Sequence, residues 1–359
     1  MNIRTFSWAA RALPVLVAAL ATACGGGQPA GEGKDAAAAT GTLSINGAGA
    51  TFPYPIYSKW FDEYRKANPQ VEINYQSIGS GGGIRQVSNE TVFFGATDGP
   101  MTDEQLKAAP GPILHFPTVL GADVPVYNLP GLNADLKFTG PLLADIFLGK
   151  VTKWSDPAIA MVNPGVSLPA TDITVVHRSD GSGTTYIWVD FLSKVSTEWK
   201  EKVGVSTSVN WPVGVGGKGN EGVAGLVSQT PGSIGYVELI YALQNKIAFG
   251  AVQNASGEFV KASTDAVTAA AASAAASMPA DFRVSITNAA GSGAYPVASF
   301  TWLLLYEDPK DKARGKAMVD FMKWALTDGQ AFAAQLGYAP LPGDVVKQEL
   351  AQLERVKIQ

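Results

Sequence analysis

Three short stretches of this chain put glycine and hydroxyl residues where a strand would end and a helix begin. They are Gly47-Ala48-Gly49-Ala50-Thr51-Phe52, Gly79-Ser80-Gly81-Gly82-Gly83 and Asp180-Gly181-Ser182-Gly183-Thr184. A helix N-terminus carries unpaired backbone N–H groups and a partial positive charge. Glycine lets the backbone come close to a ligand, and Ser and Thr add hydroxyl donors. A single loop of this kind reads as a helix N-cap in a tight turn. Three in one chain, each with a hydroxyl, read as an anion site that needs no net positive charge. Two charged elements complete the pattern. Arg178 stands just before the third loop, and a guanidinium can grip an oxyanion with two parallel bonds. Asp180, two residues on, is close enough to hold that guanidinium in place. Asp98 follows an apolar stretch, at the same kind of strand end as the loops. A carboxylate beside an anion is repulsive unless the anion carries a proton, as phosphate does at neutral pH. Without that role Asp98 reads as a turn residue before the next helix.

The loops need strands ahead of them and helices behind. Strands are expected at 43–46, 71–78, 92–96, 172–176, 233–237 and 300–306. Helices are expected at 55–67, 83–90, 102–109, 184–200, 238–245, 266–276, 312–326 and 345–355. Ile56, Trp60, Phe61 and Tyr64 fall on one helical face, as do Ile187, Phe191, Leu192 and Val195. Thr102 with Gln105 three places on is a capping-box signal. The segment 266–276 is almost pure Ala and Ser, and reads as an exposed or lightly packed helix. Strand and helix alternate, which predicts an α/β fold with a largely parallel sheet. In such sheets the loops gather at the carboxyl ends of the strands, where ligands bind.

At 359 residues the chain is long enough for about two domains. Apolar residues make up 46% and charged residues 16%, which excludes a disordered polyelectrolyte. A net charge of −4 argues against a nucleic-acid partner and requires any anion site to be made locally. Arg4 and Arg11 sit before or at the start of an apolar stretch at 12–23, and no acidic residue precedes Glu32. This is the layout of a secretory signal over residues 1–23. The apolar part is too short for a stable span. Next comes Cys24, the only cysteine, placed as in the lipobox of a bacterial lipoprotein. Residues 24–41 are rich in Gly and Ala and read as a lipid-anchored flexible tether.

Other patterns lead nowhere. Gly214-Val215-Gly216-Gly217-Lys218-Gly219 fits G-x-G-x-x-G, but Trp211-Pro212 ahead of it is a poor central strand. Gly219 stands where a phosphate-binding P-loop needs Ser or Thr, so the stretch reads as a loop near a cleft mouth. His115 and His177 are the only histidines and lack metal-ligand spacing, so no metal is expected. No G-x-S-x-G elbow surrounds Ser80 or Ser182.

The three loops, Tyr75-Gln76-Ser77-Ile78, Phe94-Gly95-Ala96-Thr97-Asp98, Trp211 to Asn220 and Pro231 to Glu238 occur in an order that resembles the phosphate-binding proteins of Pst-type phosphate transporters. The likeness runs from about residue 43 to the C-terminus and is weakest at 254–294. It implies a two-lobe periplasmic-binding-protein fold of type II, with the ligand in the cleft between α/β lobes. Lobe 1 would comprise 42–118 and 296–359, and lobe 2 residues 119–295, with crossings near 117–121 and 295–300. It also implies that a dehydrated phosphate is held by Thr51, Phe52 (through its backbone), Ser80, Asp98, Arg178, Ser182, Gly183 and Thr184, with Asp180 orienting Arg178. There would be no cofactor and no catalysis. The partners would be inorganic phosphate and the permease of an ABC transporter, with the protein lipid-anchored in the periplasm or at the cell surface. Gly81, Phe94 and His177 depart from the family's usual residues, and none of them is an implied ligand. A sulfate or molybdate receptor remains the alternative within binding proteins. A phosphate-transferring or hydrolysing enzyme is the alternative outside them.

The lone cysteine at the end of the signal generates a direct test. Cys24→Ser should abolish acylation and release the protein in soluble form or leave it unprocessed. Mass spectrometry of the mature wild-type chain showing an unmodified cysteine would remove the anchor.

Overall fold

The computed structural model describes residues 41–275 and 278–359. The expected signal, Cys24 and nearly all of the tether lie outside the described residues. From Leu43 the chain runs through β1 (Leu43–Gly49), α1 (Tyr54–Ala67), β2 (Val71–Ser77), α2 (Ser80–Ser88), β3 (Phe94–Thr97) and α3 (Asp103–Ala108). A long strand, β4 (Ile113–Tyr127), leads to β5 (Lys137–Phe138), α4 (Gly140–Phe147) and α5 (Pro157–Val162). Then come β6 (Thr174–Arg178), α6 (Gly183–Val195), α7 (Thr197–Lys202), β7 (Val215–Gly217), α8 (Gly219–Gln229), β8 (Ser233–Glu238) and α9 (Leu239–Gln244). Three short strands, β9 (Ala248–Phe249), β10 (Ala251–Gln253) and β11 (Phe259–Val260), precede α10 (Thr264–Ala275). The chain closes with β12 (Ala298–Tyr306), α11 (Lys312–Leu326) and α12 (Gly343–Leu353).

The main sheet has the order β2-β1-β3-β12-β4-β8-β6-β7, with β9 also beside β4. The alternation seen in the sequence gives parallel pairing of β1 with β2 and β3, and of β6 with β7 and β8. β12 and β4 run antiparallel to their neighbours. β4 joins two halves of the sheet. Residues Ile113 to Ala122 face β12, and Asp123 to Tyr127 face β8. Every residue of β4 is buried. This strand escapes the sequence reading because Pro117, Gly121 and Pro125 interrupt it. Pro117 sits where the register against β12 shifts, between Thr301 and Trp302, the kind of irregularity that tolerates a residue with no N–H.

Most helices fall where expected. In α1, Ile56, Tyr57, Trp60 and Tyr64 bury one face. The Thr102–Gln105 capping box is present in both directions, at 3.2 and 2.9 Å. Four expectations are corrected. The helix expected over 184–200 is two helices, because Ser196 is extended and its hydroxyl caps α7 by accepting from the Trp199 N–H. That turn lets Trp199 drop into the core. The Ala-rich α10 is well packed, with Ala266, Val267, Ala270 and Ala271 buried. The 214–219 stretch is not merely a loop. Val215–Gly217 is the edge strand β7, and α8 opens directly after Lys218. Finally, α2 begins at Ser80, three residues earlier than expected, so Gly81, Gly82 and Gly83 lie inside its first turn.

That early start presses α2 onto the ends of β1 and β3. A Cβ on Gly83 would stand 2.5 Å from Gly49 Cα, 2.6 Å from the Ala96 carbonyl and 2.7 Å from the Ala48 carbonyl. All three are backbone atoms and cannot swing aside. Within a helix, Gly→Ala ordinarily stabilises by about 0.5–1 kcal/mol. Here overpacking reverses the sign. Gly83→Ala should lower unfolding free energy by roughly 1–3 kcal/mol in urea titration. A stabilised variant would show that the approach is looser than described.

Candidate functional site

The three glycine-rich openings converge, and a fourth joins them. Ser80 opens α2, Ser182 caps α6, and Thr51 and Phe52 lie in the turn between β1 and α1. Asp98 follows β3 directly, and Arg178 is the last residue of β6. All of these residues are buried, with Thr51 3%, Asp98 1% and Arg178 3% exposed. The openings touch across the site. The Gly81 N–H donates to the Gly181 carbonyl at 2.9 Å. The backbone of Gly183 lies so near that a Cβ there would meet Ser80 Oγ at 2.5 Å and Asp98 Oδ2 at 2.6 Å. Only glycine fits at the head of α6.

Arg178 is held as expected. Its Nε donates to Asp180 Oδ1 at 2.8 Å and its Nη2 to Asp180 Oδ2 at 2.6 Å, while Nη1 reaches Thr184 Oγ1 at 3.1 Å. A guanidinium has five N–H groups, so one remains on each of Nη1 and Nη2. Burial alone would lower the Arg178 pKa, but Asp180 more than offsets it and the net shift is upward. Burial would raise Asp180, yet Arg178 and the Gly219 N–H, which donates to Oδ1 at 3.1 Å, hold it below the usual carboxylate range. Both charges therefore persist in the interior.

Asp98 is different. Burial pushes its pKa up to about 7, against the opposing pull of the Thr301 hydroxyl, the Arg178 charge and the Ser80 hydroxyl. Thr301 Oγ1 on β12 donates to Asp98 Oδ1 at 2.7 Å. Ser80 Oγ lies 3.3 Å from Oδ2 and accepts the Asp98 N–H at 3.1 Å. A carboxyl poised between its two protonation states thus faces a group of donors. The α6 opening supplies the Gly183 and Thr184 N–H groups, which have no intrahelical acceptor. Ser182 Oγ caps the same helix by accepting from the Thr185 N–H at 3.0 Å.

The structure brings every anticipated anion-site residue, with Asp180, into one cluster, and it adds three that the sequence reading missed. Asn220, in the first turn of α8, is fully buried. Its Nδ2 donates to Thr51 Oγ1 at 2.8 Å and to Thr184 Oγ1 at 3.1 Å, and its N–H also reaches Thr51 Oγ1, at 3.2 Å. Thr301 holds Asp98, and Tyr241 donates to the Thr51 carbonyl at 2.6 Å. The signal for Asn220 was present. It follows the Gly214–Gly219 run, which is a fourth strand-to-helix opening once β7 is recognised. Both histidines serve elsewhere. His115 Nε2 accepts the Met101 N–H, and burial lowers its pKa to about 3. His177 stacks on Trp211, ring centres 4.8 Å apart. Among the described residues no group of His, Cys, Asp or Glu side chains is arranged to hold a metal, and no helix is long and apolar enough to cross a membrane.

Comparison with known proteins gives this cluster a lineage. The model of the PBP superfamily domain matches residues 34–328. The phosphate-binding protein PstS of Xylella fastidiosa (strain Temecula1) is 53% identical over 311 residues, covering 86% of this chain and 84% of its own. PstS of Pasteurella multocida is 50% identical, covering 87% and 90%. PstS of Methanocaldococcus jannaschii is 39% identical, covering 96% and 94%. Among solved structures, a high-affinity periplasmic phosphate-binding protein (PfluDING) bound with phosphate superposes with a TM-score of 0.69 at 21% identity, covering 86% and 93%. A phosphate-binding protein from Stenotrophomonas maltophilia gives 0.66 at 19%, with the same coverage. These structures share the two-lobe, type II periplasmic-binding-protein fold with this chain. By sequence and by fold the chain belongs to the PstS phosphate-binding protein family of the PBP superfamily.

Proposed function

We propose that this protein binds inorganic phosphate outside the cytoplasmic membrane, delivers it to the permease of an ABC transporter, and catalyses nothing. One observation carries the reading. A fully buried carboxyl, Asp98, stands among hydroxyl, guanidinium and helix N-terminal donors. Donors alone would suit any tetrahedral oxyanion. A carboxyl among them suits one that shares a proton. The ligands are Thr51, the Phe52 N–H, Ser80, Asp98, Arg178, Ser182, Gly183 and Thr184, with Asp180 and Asn220 holding Arg178, Thr51 and Thr184 in place. The names of the relatives support phosphate as the ion.

The reading as a binding protein without catalysis is supported by the relatives, which are named as phosphate-binding proteins. Among the described residues His115 accepts the Met101 N–H and His177 bonds the Arg178 carbonyl, and the Ser80 hydroxyl is engaged with Asp98. The two lobes are the halves of the sheet on either side of β4, which meet between Ala122 and Asp123. They close on the ion by hinge motion. Acylated Cys24 attaches the protein to a membrane, and the Gly- and Ala-rich tether gives the lobes reach to the permease.

Two measurements bear on Asp98. The first is calorimetric titration of stripped protein with phosphate and sulfate. A site built around a proton rejects an analogue lacking it by roughly 10⁴–10⁵-fold. Asp98→Asn should narrow the sulfate-to-phosphate ratio of dissociation constants far more than it weakens phosphate binding. In wild type the ratio should also narrow as pH falls below about 7, where Asp98 gains a proton to donate. Equal affinity for both ions in wild type at pH 8 would sink the assignment. The second is the stability of ligand-free protein. Asp98 is raised from 3.8 to about 7, so the unfolded chain gives up this proton first. The stability it contributes is fully present below about pH 4 and is lost as pH rises to about 7. Urea titrations at pH 4.5 and 7 should therefore show a loss roughly 2–4 kcal/mol larger in wild type than in Asp98→Asn. Equal pH slopes would mean that Asp98 is ionised throughout.

A further inference from the structure

The turn that carries Thr51 and Phe52 has three successive carbonyls, and each accepts a tyrosine hydroxyl. Tyr75 donates to the Ala50 carbonyl at 2.8 Å, Tyr241 to the Thr51 carbonyl at 2.6 Å and Tyr338 to the Phe52 carbonyl at 2.6 Å. A trans peptide is planar, with the C=O of one residue antiparallel to the N–H of the next. Pinning the Thr51 carbonyl therefore aims the Phe52 N–H the opposite way. That N–H finds no acceptor among the described residues.

The three tyrosines differ in where they come from. Tyr75 lies on β2, beside β1 in the same half of the sheet as the turn. Tyr241 lies on α9, directly after β8, in the half beyond Asp123. Its bond to Thr51 therefore spans the cleft. Tyr241 Oη is also 3.2 Å from Glu221 Oε1 on α8, in its own half. A phenol has one proton to give, and two acceptors compete for it.

We propose that Tyr241 is a positioning residue for the anion. Its hydroxyl holds the Thr51 peptide so that the Phe52 N–H faces the ion, and Glu221 takes over that hydroxyl when the lobes part. The bond thus latches the closed form while the open form keeps Tyr241 satisfied. This rests on the reading of the protein as a two-lobe phosphate receptor. Since Glu221 remains available to the phenol in either form, what the Thr51 bond adds is mainly the aim of one neutral donor, the Phe52 N–H, at the ion, about 3- to 10-fold in affinity.

The test uses inorganic phosphate with the whole folded chain, by calorimetry and by stopped-flow tryptophan fluorescence. Tyr241→Phe should raise Kd about 3- to 10-fold. The change should lie in the off-rate, with the on-rate within about twofold and the ligand-free Tm within about 2 °C of wild type. Glu221→Gln weakens the competing acceptor and should act in the opposite direction, slowing the off-rate up to about threefold. It should do nothing in a Tyr241→Phe background. An unchanged off-rate in Tyr241→Phe overturns the proposal while leaving phosphate binding intact. So does a loss confined to the on-rate with a fallen ligand-free Tm, or a Glu221→Gln effect that persists without the phenol. Failure of wild type to bind phosphate would be the separate failure of the receptor reading, and would take this proposal with it.

Discussion

Keeping a carboxyl dry beside groups meant for an anion is the constraint around which this site is arranged. Exposed to water, Asp98 would be an ordinary ionised acid and would repel any oxyanion. Buried, it sits near the midpoint of its titration at neutral pH, where exchanging a proton with a neighbouring oxygen costs little. Burial therefore has to be complete, and the packing achieves this with backbone. Gly183 presses against Asp98 from α6, and Gly83 holds α2 against β1 and β3, so that Ser80 and Asp98 share one floor. A larger residue at either glycine would pry the walls apart and let water at the carboxyl.

The same dryness governs the positive side. A lone buried guanidinium would be costly, and removing one partner of a buried pair leaves an uncompensated charge worth several kcal/mol. Asp180 balances Arg178 across one edge and leaves N–H groups on Nη1 and Nη2. The carboxylate is itself steadied by the Gly219 N–H. Attraction for an anion thus comes from local dipoles and one balanced cation, consistent with a chain whose net charge is −4. The strategy favours selectivity over long-range steering, because a balanced pair has little field beyond its own neighbourhood.

Much of this was legible in the sequence, for a physical reason. A helix opening that must admit an anion needs glycine and hydroxyls in consecutive positions, so its chemistry is written locally. Thr51, Ser80 and the 180–184 run could be read that way, as could the pairing of Arg178 with Asp180. What stayed hidden depends on partners far away in sequence. Thr301 reaches Asp98 from β12, and Tyr241 reaches Thr51 from α9. Neither carries a local sign of its role, since a Thr in an apolar strand and a Tyr in a short helix are common. β4 was hidden by its prolines, of which Pro117 marks a bulge and Pro125 pairs in unbroken register with Tyr236 of β8. The break at Ser196 was hidden because Ser caps one helix while the apolar spacing of the preceding one runs on through it.

The strand that joins the two halves of the sheet is linked to the site through ordinary hydrogen bonds. At the point where β4 passes from β12 to β8, Asp123 lies opposite Glu238. Both are fully buried, and burial drives both well above the usual carboxylate range, with nearby acidic groups adding to the shift. The Glu238 N–H donates to Asn220 Oδ1 at 2.9 Å, and the Asn220 amide in turn donates to Thr51 and Thr184. Thr51 belongs to the half of the sheet built on β1, whereas Asn220, Thr184 and Glu238 belong to the half built on β6 and β8. The Asn220–Thr51 bonds therefore cross between the two halves, while the Asn220–Glu238 bond stays within one. The amide accepts from β8, beside β4, and donates to Thr51 in the other half, so the strand that joins the halves and the residues of the site share one hydrogen-bonded chain.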